Sequence, residues 1–141
     1  MITVRVKKQL VGYQGKFTLE ADFKVEKGEF LTIFGKSGSG KTTILRMIAG
    51  LEKPDEGYIE FDGKVYFDSS KKINLPPQKR NVGFVFQNYA LFPNMTVYEN
   101  VAFGVDKKQL HKVDEVLKTV ELYSLKDRYP SSLSGGQQQR V

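Results

Sequence analysis

The sequence predicts an α/β fold, with strands around a glycine-rich loop in its first part and helices towards its end. Three observations lead to this prediction. A glycine-rich stretch, Gly35–Thr42, lies between a short apolar strand pattern and an apolar-faced helix pattern. Residues 2–7 and about 17–25 have the composition of strands, and helix caps dominate the chain after residue 88. Strand, glycine loop and helix in succession indicate a parallel α/β core built around an anion site.

The glycine-rich stretch matches the phosphate-loop pattern G-x-x-x-x-G-K-[ST] at every fixed position. Its glycines admit backbone angles closed to other residues, so that successive N–H groups can converge on a phosphate chain. Lys41 would add a charge at the β- and γ-phosphates, and the Thr42 hydroxyl would bind Mg²⁺. The predicted nucleotide-binding residues of this segment are Gly35, Lys36, Ser37, Gly38, Ser39, Gly40, Lys41, Thr42 and Thr43.

The elements around this loop follow from local patterns. Residues 29–34 predict the strand before it, and a helix should run to Ala49, where Gly50 ends it. Residues 58–61 and 64–67 predict a hairpin with an Asp62-Gly63 turn. Residues 81–86 form an apolar run typical of a buried parallel strand.

Gln87 follows that apolar run, at the sheet edge where α/β proteins bind ligands. Its amide suits a water molecule or a metal ion, and a structural turn residue is the alternative. Tyr13 or Phe17, before the phosphate loop, would stack on a nucleobase, or belong to the core or a sheet edge. The apolar loop of residues 88–95 indicates either a partner surface or a loop tucked into its own core.

Composition excludes several classes of protein. The chain has 141 residues, 40% of them hydrophobic, and no cysteine, which excludes disulfides and thiolate metal sites. No apolar run approaches the roughly 20 residues that span a bilayer, so any membrane association should go through a partner. The net charge of +6 is spread over separated basic pairs, which we interpret as solvated surface and not as a nucleic-acid site. These pairs are Lys7-Lys8, Lys71-Lys72, Lys79-Arg80 and Lys107-Lys108.

The last third of the chain predicts helices. Thr96 and Glu99 form a capping box that opens a helix to about Phe103. Asp106 and Gln109 open another, whose apolar stripe is Leu110, Val113, Leu117 and Val120, with His111 on the solvated side. In Leu133–Gln137, Ser134 is a good N-cap, and Gly135 and Gly136 would expose N–H groups to an anion. This segment is either a second phosphate site, serving a neighbour's nucleotide, or a capped helix start.

Taken together, these residues resemble the nucleotide-binding subunit of ATP-binding-cassette (ABC) transporters over essentially the whole chain. The shared features, in the family's order, are the Walker A loop Gly35–Thr42, Gln87 as the Q-loop glutamine, a helical insertion, and Leu133–Gln137 as the LSGGQ signature. The resemblance implies an α/β P-loop NTPase core of the ABC-ATPase type, with an incomplete parallel sheet, an antiparallel β layer and a helical subdomain. It also implies a division into residues 1–87, the β layer and core, and 88–141, the helical subdomain.

The resemblance further implies ATP and Mg²⁺ as cofactors and a head-to-tail homodimer of the full-length protein. In that dimer Ser134, Gly135, Gly136 and Gln137 would meet the ATP held by the other subunit. Lys41 and Gln87 would be catalytic, with Gln87 reaching Mg²⁺ and the attacking water, and Tyr13 resembles the aromatic that stacks on adenine. Residues Gln87–Met95 would receive a membrane permease at the cytoplasmic face of the membrane, with a solute-binding protein acting indirectly.

The run from Leu75 to Gln87 is similar to importers for molybdate, sulfate, polyamines, iron or sugars, and the compact start leans towards molybdate. The family's Walker B strand and catalytic carboxylates should follow the signature, beyond Val141. We therefore expect an amino-terminal part of a longer ATPase that binds nucleotide weakly, hydrolyses none and leaves apolar sheet surface uncovered. The alternatives are a soluble ABC ATPase acting on nucleic acid or ribosomes, and a nucleotide-binding fragment without activity.

Overall fold

The computed structural model describes residues 1–12 and 15–141, and therefore not Tyr13. These residues divide into two units, Met1–Phe84 and Val85–Val141, each with its own hydrophobic core. In the described part of the chain, no helix has the length and apolar character needed to cross a membrane.

The first unit contains an antiparallel sheet in the order β2-β1-β3-β4-β5. Every neighbouring pair is antiparallel, as predicted for the β layer. The predicted turn between β3 and β4 is confirmed: Asp62 and Gly63 have φ of 45° and 79°, the positive pair that a tight hairpin turn needs. The strands are β1 (Ile2–Gly12), β2 (Gly15–Val25), β3 (Glu56–Phe61), β4 (Lys64–Asp68) and β5 (Ile73–Asn74).

One face of this sheet is apolar because the paired strands point their apolar side chains to the same side. Val4 pairs with Phe23 on β2 and with Ile59 on β3, so all three side chains share one face. The helix α1 (Lys41–Ala49) buries Ile44 and Met47 in the same core cluster. The sheet therefore fixes the helix that follows the phosphate loop.

A bulge in β4 brings two aromatic side chains into this core. The register shifts between the pairs Ile59–Phe67 and Glu60–Val65, which leaves Tyr66 as the extra residue. Tyr66 and Phe67 are consequently both buried, although they are neighbours in a strand. The Tyr66 hydroxyl accepts a hydrogen bond of 2.8 Å from the Asn81 backbone N–H.

The strands predicted over residues 29–34 and 81–86 are wrong for this structure, since neither segment is assigned as strand. A parallel strand is stable beside neighbouring strands in a sheet whose two faces are both covered by other elements. Here the side chains of Phe30, Phe34 and Val85 are 93%, 98% and 91% exposed. The described sheet is thus the antiparallel layer. The exposed apolar side chains lie in segments outside it, so they do not form the uncovered sheet surface expected from the sequence.

The interpretation of Lys79-Arg80 as solvated surface is wrong for Arg80, which is 5% exposed. Its guanidinium lies 5.4 Å from the centroid of the Tyr66 ring. Desolvation by burial lowers the pKa of Arg80, and the charge interaction with Tyr66 opposes that shift. An arginine nevertheless stays protonated in proteins, so a positive charge is buried here.

The second unit is helical and contains α2 (Val97–Ala102), α3 (His111–Thr119) and α4 (Gly135–Arg140). One 3₁₀ turn lies between α2 and α3, and two lie between α3 and α4. The predicted capping box of α2 is confirmed, because Thr96 and Glu99 exchange side-chain and backbone hydrogen bonds of 2.7 and 3.2 Å. The core of this unit consists of Val97, Val113, Leu117, Leu122 and Leu133.

The stripe predicted for α3 is confirmed at its centre. Val113 and Leu117 are buried and Val120 packs against their cluster, whereas Leu110 is 36% exposed and His111 faces solvent. Asp106 caps a 3₁₀ turn over Lys107–Gln109, which precedes α3. The core of the second unit also holds Leu133, and thereby the start of the signature motif.

Candidate functional site

The phosphate loop turns sharply before α1. The Ser39 N–H donates to the Lys36 carbonyl at 3.2 Å, and Gly38 and Gly40 have φ of 79° and 91°. These angles lie in the left-handed region that favours glycine. A Cβ on Gly40 would come within 2.9 Å of both Leu19 methyl groups, so the loop also rests directly on β2.

Lys41 folds back over the loop. Its ammonium group donates to the carbonyls of Gly35 and Lys36, each at 2.7 Å. An ammonium has three N–H donors, so two bonds to the loop leave capacity for a third, to an anion. The side chain is therefore already held beside the loop that a phosphate group would enter.

The amino-terminal end of α1 is suited to an anion. Gly40 is its N-cap, and within the described residues neither a side-chain cap nor an acidic residue of the first turn neutralises the free N–H groups there. The intrahelical ladder begins with Ile44 N–H to the Gly40 carbonyl at 3.0 Å. The N–H groups of the first turn and the partial positive charge of the helix end therefore point towards the loop.

A cavity of about 880 Å³ lies beside the loop. It is lined by Lys16 and Phe17 from the start of β2 and by residues 36–38 of the phosphate loop. Phe17 is half-buried and packs against Gly12, where a Cβ would approach its ring to 3.2 Å. Tyr13, the other candidate for stacking on a base, lies outside the described residues. The lining residues are Val11, Gly12, Gly15, Lys16, Phe17, Lys36, Ser37 and Gly38.

The donor set fits a magnesium ion that arrives with its nucleotide. Thr42 is exposed at the first turn of α1 and offers a hydroxyl oxygen. In the described residues no cluster of three or more His, Cys, Asp or Glu could hold a metal ion. A single hydroxyl is compatible with Mg²⁺, because this ion keeps several waters and takes its remaining ligands from substrate phosphates.

Gln87 lies in the second unit and is exposed. The segment after it has an unusual backbone: Tyr89 and Ala90 have φ of 58° and 54°. Positive φ is uncommon for residues with a side chain, and such conformations cluster at functional sites. Gln87 therefore precedes a tight turn in which two consecutive residues have a left-handed backbone.

The loop that ends at Met95 is fixed by one residue that the sequence reasoning missed. Asn100 on α2 accepts from the Phe92 N–H at 2.8 Å and donates to the carbonyls of Phe92, Met95 and Thr96. Beside this loop lies a cavity of about 420 Å³ with a largely apolar lining. The cavity is lined by Asn94, Met95, Tyr98, Glu99, Ala102 and Phe103.

The signature motif opens α4 with a complete capping box, of which the sequence analysis predicted only the N-cap. The Ser134 hydroxyl accepts from the Gln137 N–H at 3.3 Å, and the Ser134 N–H donates to the Gln137 side chain at 2.9 Å. Because the hydroxyl acts as acceptor here, its own proton is available to an anion. The Gln137 side chain reaches back to the cap, while Gly135 and Gly136 are exposed.

Gln138 anchors the same motif, which sequence reasoning also missed. Its amide donates to the carbonyls of Pro130 and Leu133, at 2.9 and 3.3 Å. Leu133 itself is buried in the core of the second unit. The glycines of the motif are therefore held between a buried leucine and an anchored glutamine.

Comparison with known proteins identifies a family. Residues 19–141 match the family described as ABC transporter. The chain is 41% identical over all its 141 residues to the molybdenum import ATP-binding protein ModC of Pasteurella multocida. It is 54% identical over 123 residues to the spermidine/putrescine import ATP-binding protein PotA of Acetivibrio thermocellus. The chain covers 39% and 33% of these two relatives, so it spans little more than a third of their length.

A solved structure shares the fold. It is the dimeric, post-hydrolysis state of the ATP-binding cassette MJ0796, bound to ADP and Pi. The TM-score is 0.78 at 31% sequence identity, over 99% of this chain and 66% of that one.

Proposed function

The chain belongs to the ABC transporter family, and on that basis we propose that it is the amino-terminal part of an import ATPase subunit that binds ATP. The observation that carries the proposal is the phosphate loop, with Lys41 held over it. Behind the loop lies the start of α1, whose free N–H groups have no side-chain cap. The fold class predicted from the sequence agrees with the solved cassette. The import function is that of the molybdenum and spermidine/putrescine relatives, extended here to this chain.

We propose that binding proceeds by positioning and charge. The N–H groups of Gly38, Gly40 and Lys41 would donate to the phosphate chain, which the helix end stabilises further. The Lys41 ammonium would share its protons between the loop carbonyls and the phosphate oxygens. Phosphoryl transfer involves little covalent chemistry for the protein, so this geometry is the main contribution of the loop.

The Thr42 hydroxyl would hold Mg²⁺, with Gln87 as the second protein ligand. When bound, the ion supplies neutralisation of the charge that develops on the β- and γ-phosphates. For the nucleobase, Tyr13 is the proposed stacking residue by resemblance. Phe17 is the alternative supported by its place in the cavity beside the loop.

We propose that the signature motif binds the nucleotide of a second subunit in a head-to-tail homodimer of the full-length protein. Ser134 and the N–H groups of Gly135 and Gly136 would contact the γ-phosphate, and Gln137 would hold the motif in shape through its capping box. The dimeric state of the solved cassette supports this arrangement.

The permease is the proposed membrane partner, at the cytoplasmic face. Residues Gln87–Met95 and α2 form the receiving surface, where the cavity beside Met95 and Phe103 would accept an apolar side chain. A solute-binding protein would act only through the permease. Molybdate and polyamines are the substrate classes that the two reported relatives support.

Replacing Lys41 with alanine tests nucleotide binding. Hydrogen bonds to charged groups contribute about 1.5–3 kcal/mol, so we expect Mg-ATP affinity to fall by about 10- to 100-fold. Isothermal titration of the 141-residue chain gives the measurement. Lys24→Ala, an exposed lysine of β2, is the matched control and should bind like wild type. Equal affinities of the Lys41 variant and wild type would leave the chain without a working phosphate site.

ATP turnover by the 141-residue chain alone is the second test. By resemblance, the carboxylates that activate water follow the signature motif, and the chain spans only 39% of the molybdenum relative. We therefore expect no steady phosphate release at saturating Mg-ATP. Continuous release that Lys41→Ala abolishes would refute this proposal and place a general base within these residues.

Labelling of a single cysteine tests the permease surface. The 141 residues contain no cysteine, so Asn94→Cys provides the single thiol, in the cavity lining, once any cysteine elsewhere in the full-length protein has been replaced with serine. We expect a maleimide to label it in the isolated subunit and to label it poorly in membranes that contain the permease. Lys112→Cys, on the exposed side of α3, should be labelled equally in both preparations. Unchanged labelling of Asn94→Cys in the assembled transporter would count against this surface.

A further inference from the structure

Arg80 occupies a position that the proposed function does not use. It is 5% exposed, yet it forms no ion pair within the part of the chain that the structure describes. A buried charge is costly unless polar groups surround it. The acceptors around Arg80 therefore identify what its charge stabilises.

Those acceptors lie mainly at the carboxyl end of α1. Nη1 of Arg80 donates to the carbonyls of Met47 and Ile48, at 2.7 and 2.8 Å. The last carbonyls of a helix have no intrahelical donor, and this end of the helix carries partial negative charge. The guanidinium therefore caps the helix that begins at the phosphate loop.

The other nitrogens of the guanidinium connect this helix end to the sheet. Nε donates to the Leu75 carbonyl at 2.9 Å, and Nη2 donates to the Asn74 side chain at 3.1 Å. The planar group also lies against the ring of Tyr66, the bulged residue of β4. Lysine could not reproduce this set, because its ammonium is a point charge without a planar fork.

The chain at the end of α1 is shaped around this guanidinium. Gly50 caps the helix with φ of 80°, and a Cβ there would lie 2.6 Å from Nε of Arg80. The Gly50 N–H also donates to the Met47 carbonyl at 3.2 Å, which Arg80 shares. The fit is consequently specific to a glycine on one side and an arginine on the other.

We propose that Arg80 is a positioning residue for the phosphate loop, acting through α1. This inference rests on the proposed function, since it concerns the same nucleotide site. The helix has nine residues and a length of about 14 Å, so a tilt at its carboxyl end displaces Lys41 and Thr42 at the other. Ile44 and Met47 pack the helix onto the sheet, and Arg80 holds the carbonyls at its carboxyl end, which limits how far the helix can tilt.

The same anchor fixes the start of the segment that leads to Gln87. Asn81 follows Arg80 directly, and its N–H donates to the hydroxyl of Tyr66, on whose ring the guanidinium lies. The helix behind the phosphate loop and the chain entering the glutamine segment are therefore tied to one cluster. Any change in the tilt of α1 is expected to alter the hydrogen bonds of the Arg80 guanidinium to the Met47 and Ile48 carbonyls.

The test compares Arg80→Met, Arg80→Lys and Asp68→Ala in the 141-residue chain. Methionine preserves apolar packing but removes the charge and the donors. Asp68 lies on β4 opposite Tyr58, on the face away from α1, and accepts hydrogen bonds from Ser70 and Lys71. Asp68→Ala therefore lowers the melting temperature without touching α1, and serves as the control for destabilisation alone.

The first readout needs no nucleotide and is measured well below the melting temperatures. Arg80→Met should shift the backbone amide NMR signals of Lys41 and Thr42, whereas Asp68→Ala should leave them in place. Arg80→Lys should give intermediate shifts, because it restores charge at the helix end. Unchanged signals in folded Arg80→Met, or equal shifts in Asp68→Ala, would overturn the inference even if the chain binds no ATP.

The second readout is Mg-ATP affinity at the same temperature. Arg80→Met should bind about tenfold more weakly than wild type, Arg80→Lys should recover part of the loss, and Asp68→Ala should match wild type. Should Arg80→Met not fold, the Nε–H signal of Arg80 in wild type decides, since it should shift when Mg-ATP binds. A stationary Nε–H signal at saturating Mg-ATP would overturn the role of Arg80. Absence of binding by wild type would instead overturn the proposed function.

Discussion

Ile44 and Met47 pack α1 onto the apolar face of the antiparallel sheet, and the candidate nucleotide site depends on that contact. The phosphate loop has few side chains of its own to hold it. Its position follows from the helix behind it and from Leu19 of β2 beneath Gly40. A small antiparallel layer thus supplies the rigid support that an anion site needs, since the donors must already be in position when the phosphate binds.

Parts of the fold and of this site could be predicted from the sequence because they depend on residues that are close together in the chain. The turn at Asp62-Gly63 and the capping box of Thr96 and Glu99 depend on residues at most three apart. The phosphate loop likewise depends on glycines that allow positive φ and on a lysine one residue later. In each of these patterns the neighbouring residues themselves supply the required backbone angles and hydrogen bonds. They therefore depend little on the rest of the chain.

The errors concern features that depend on distant residues. The apolar runs 29–34 and 81–86 are typical of parallel strands, but a strand forms only beside neighbouring strands, which periodicity cannot reveal. Arg80 looks like one of several surface charges in the sequence. Its burial depends on helix carbonyls more than thirty positions away, at Met47 and Ile48. Asn100 and Gln138 were missed for a related reason. The sequence around a side-chain amide does not indicate which backbone groups it will hydrogen-bond.

Amide NMR titration of the ¹⁵N-labelled chain with Mg-ATP tests the account most directly, because the central claim concerns where backbone N–H groups point. The account predicts that the largest, saturable shifts fall on residues 36–42, with Gly38, Gly40 and Lys41 foremost among them. Saturable binding that leaves these signals unmoved, or shifts confined to other parts of the chain, would contradict it.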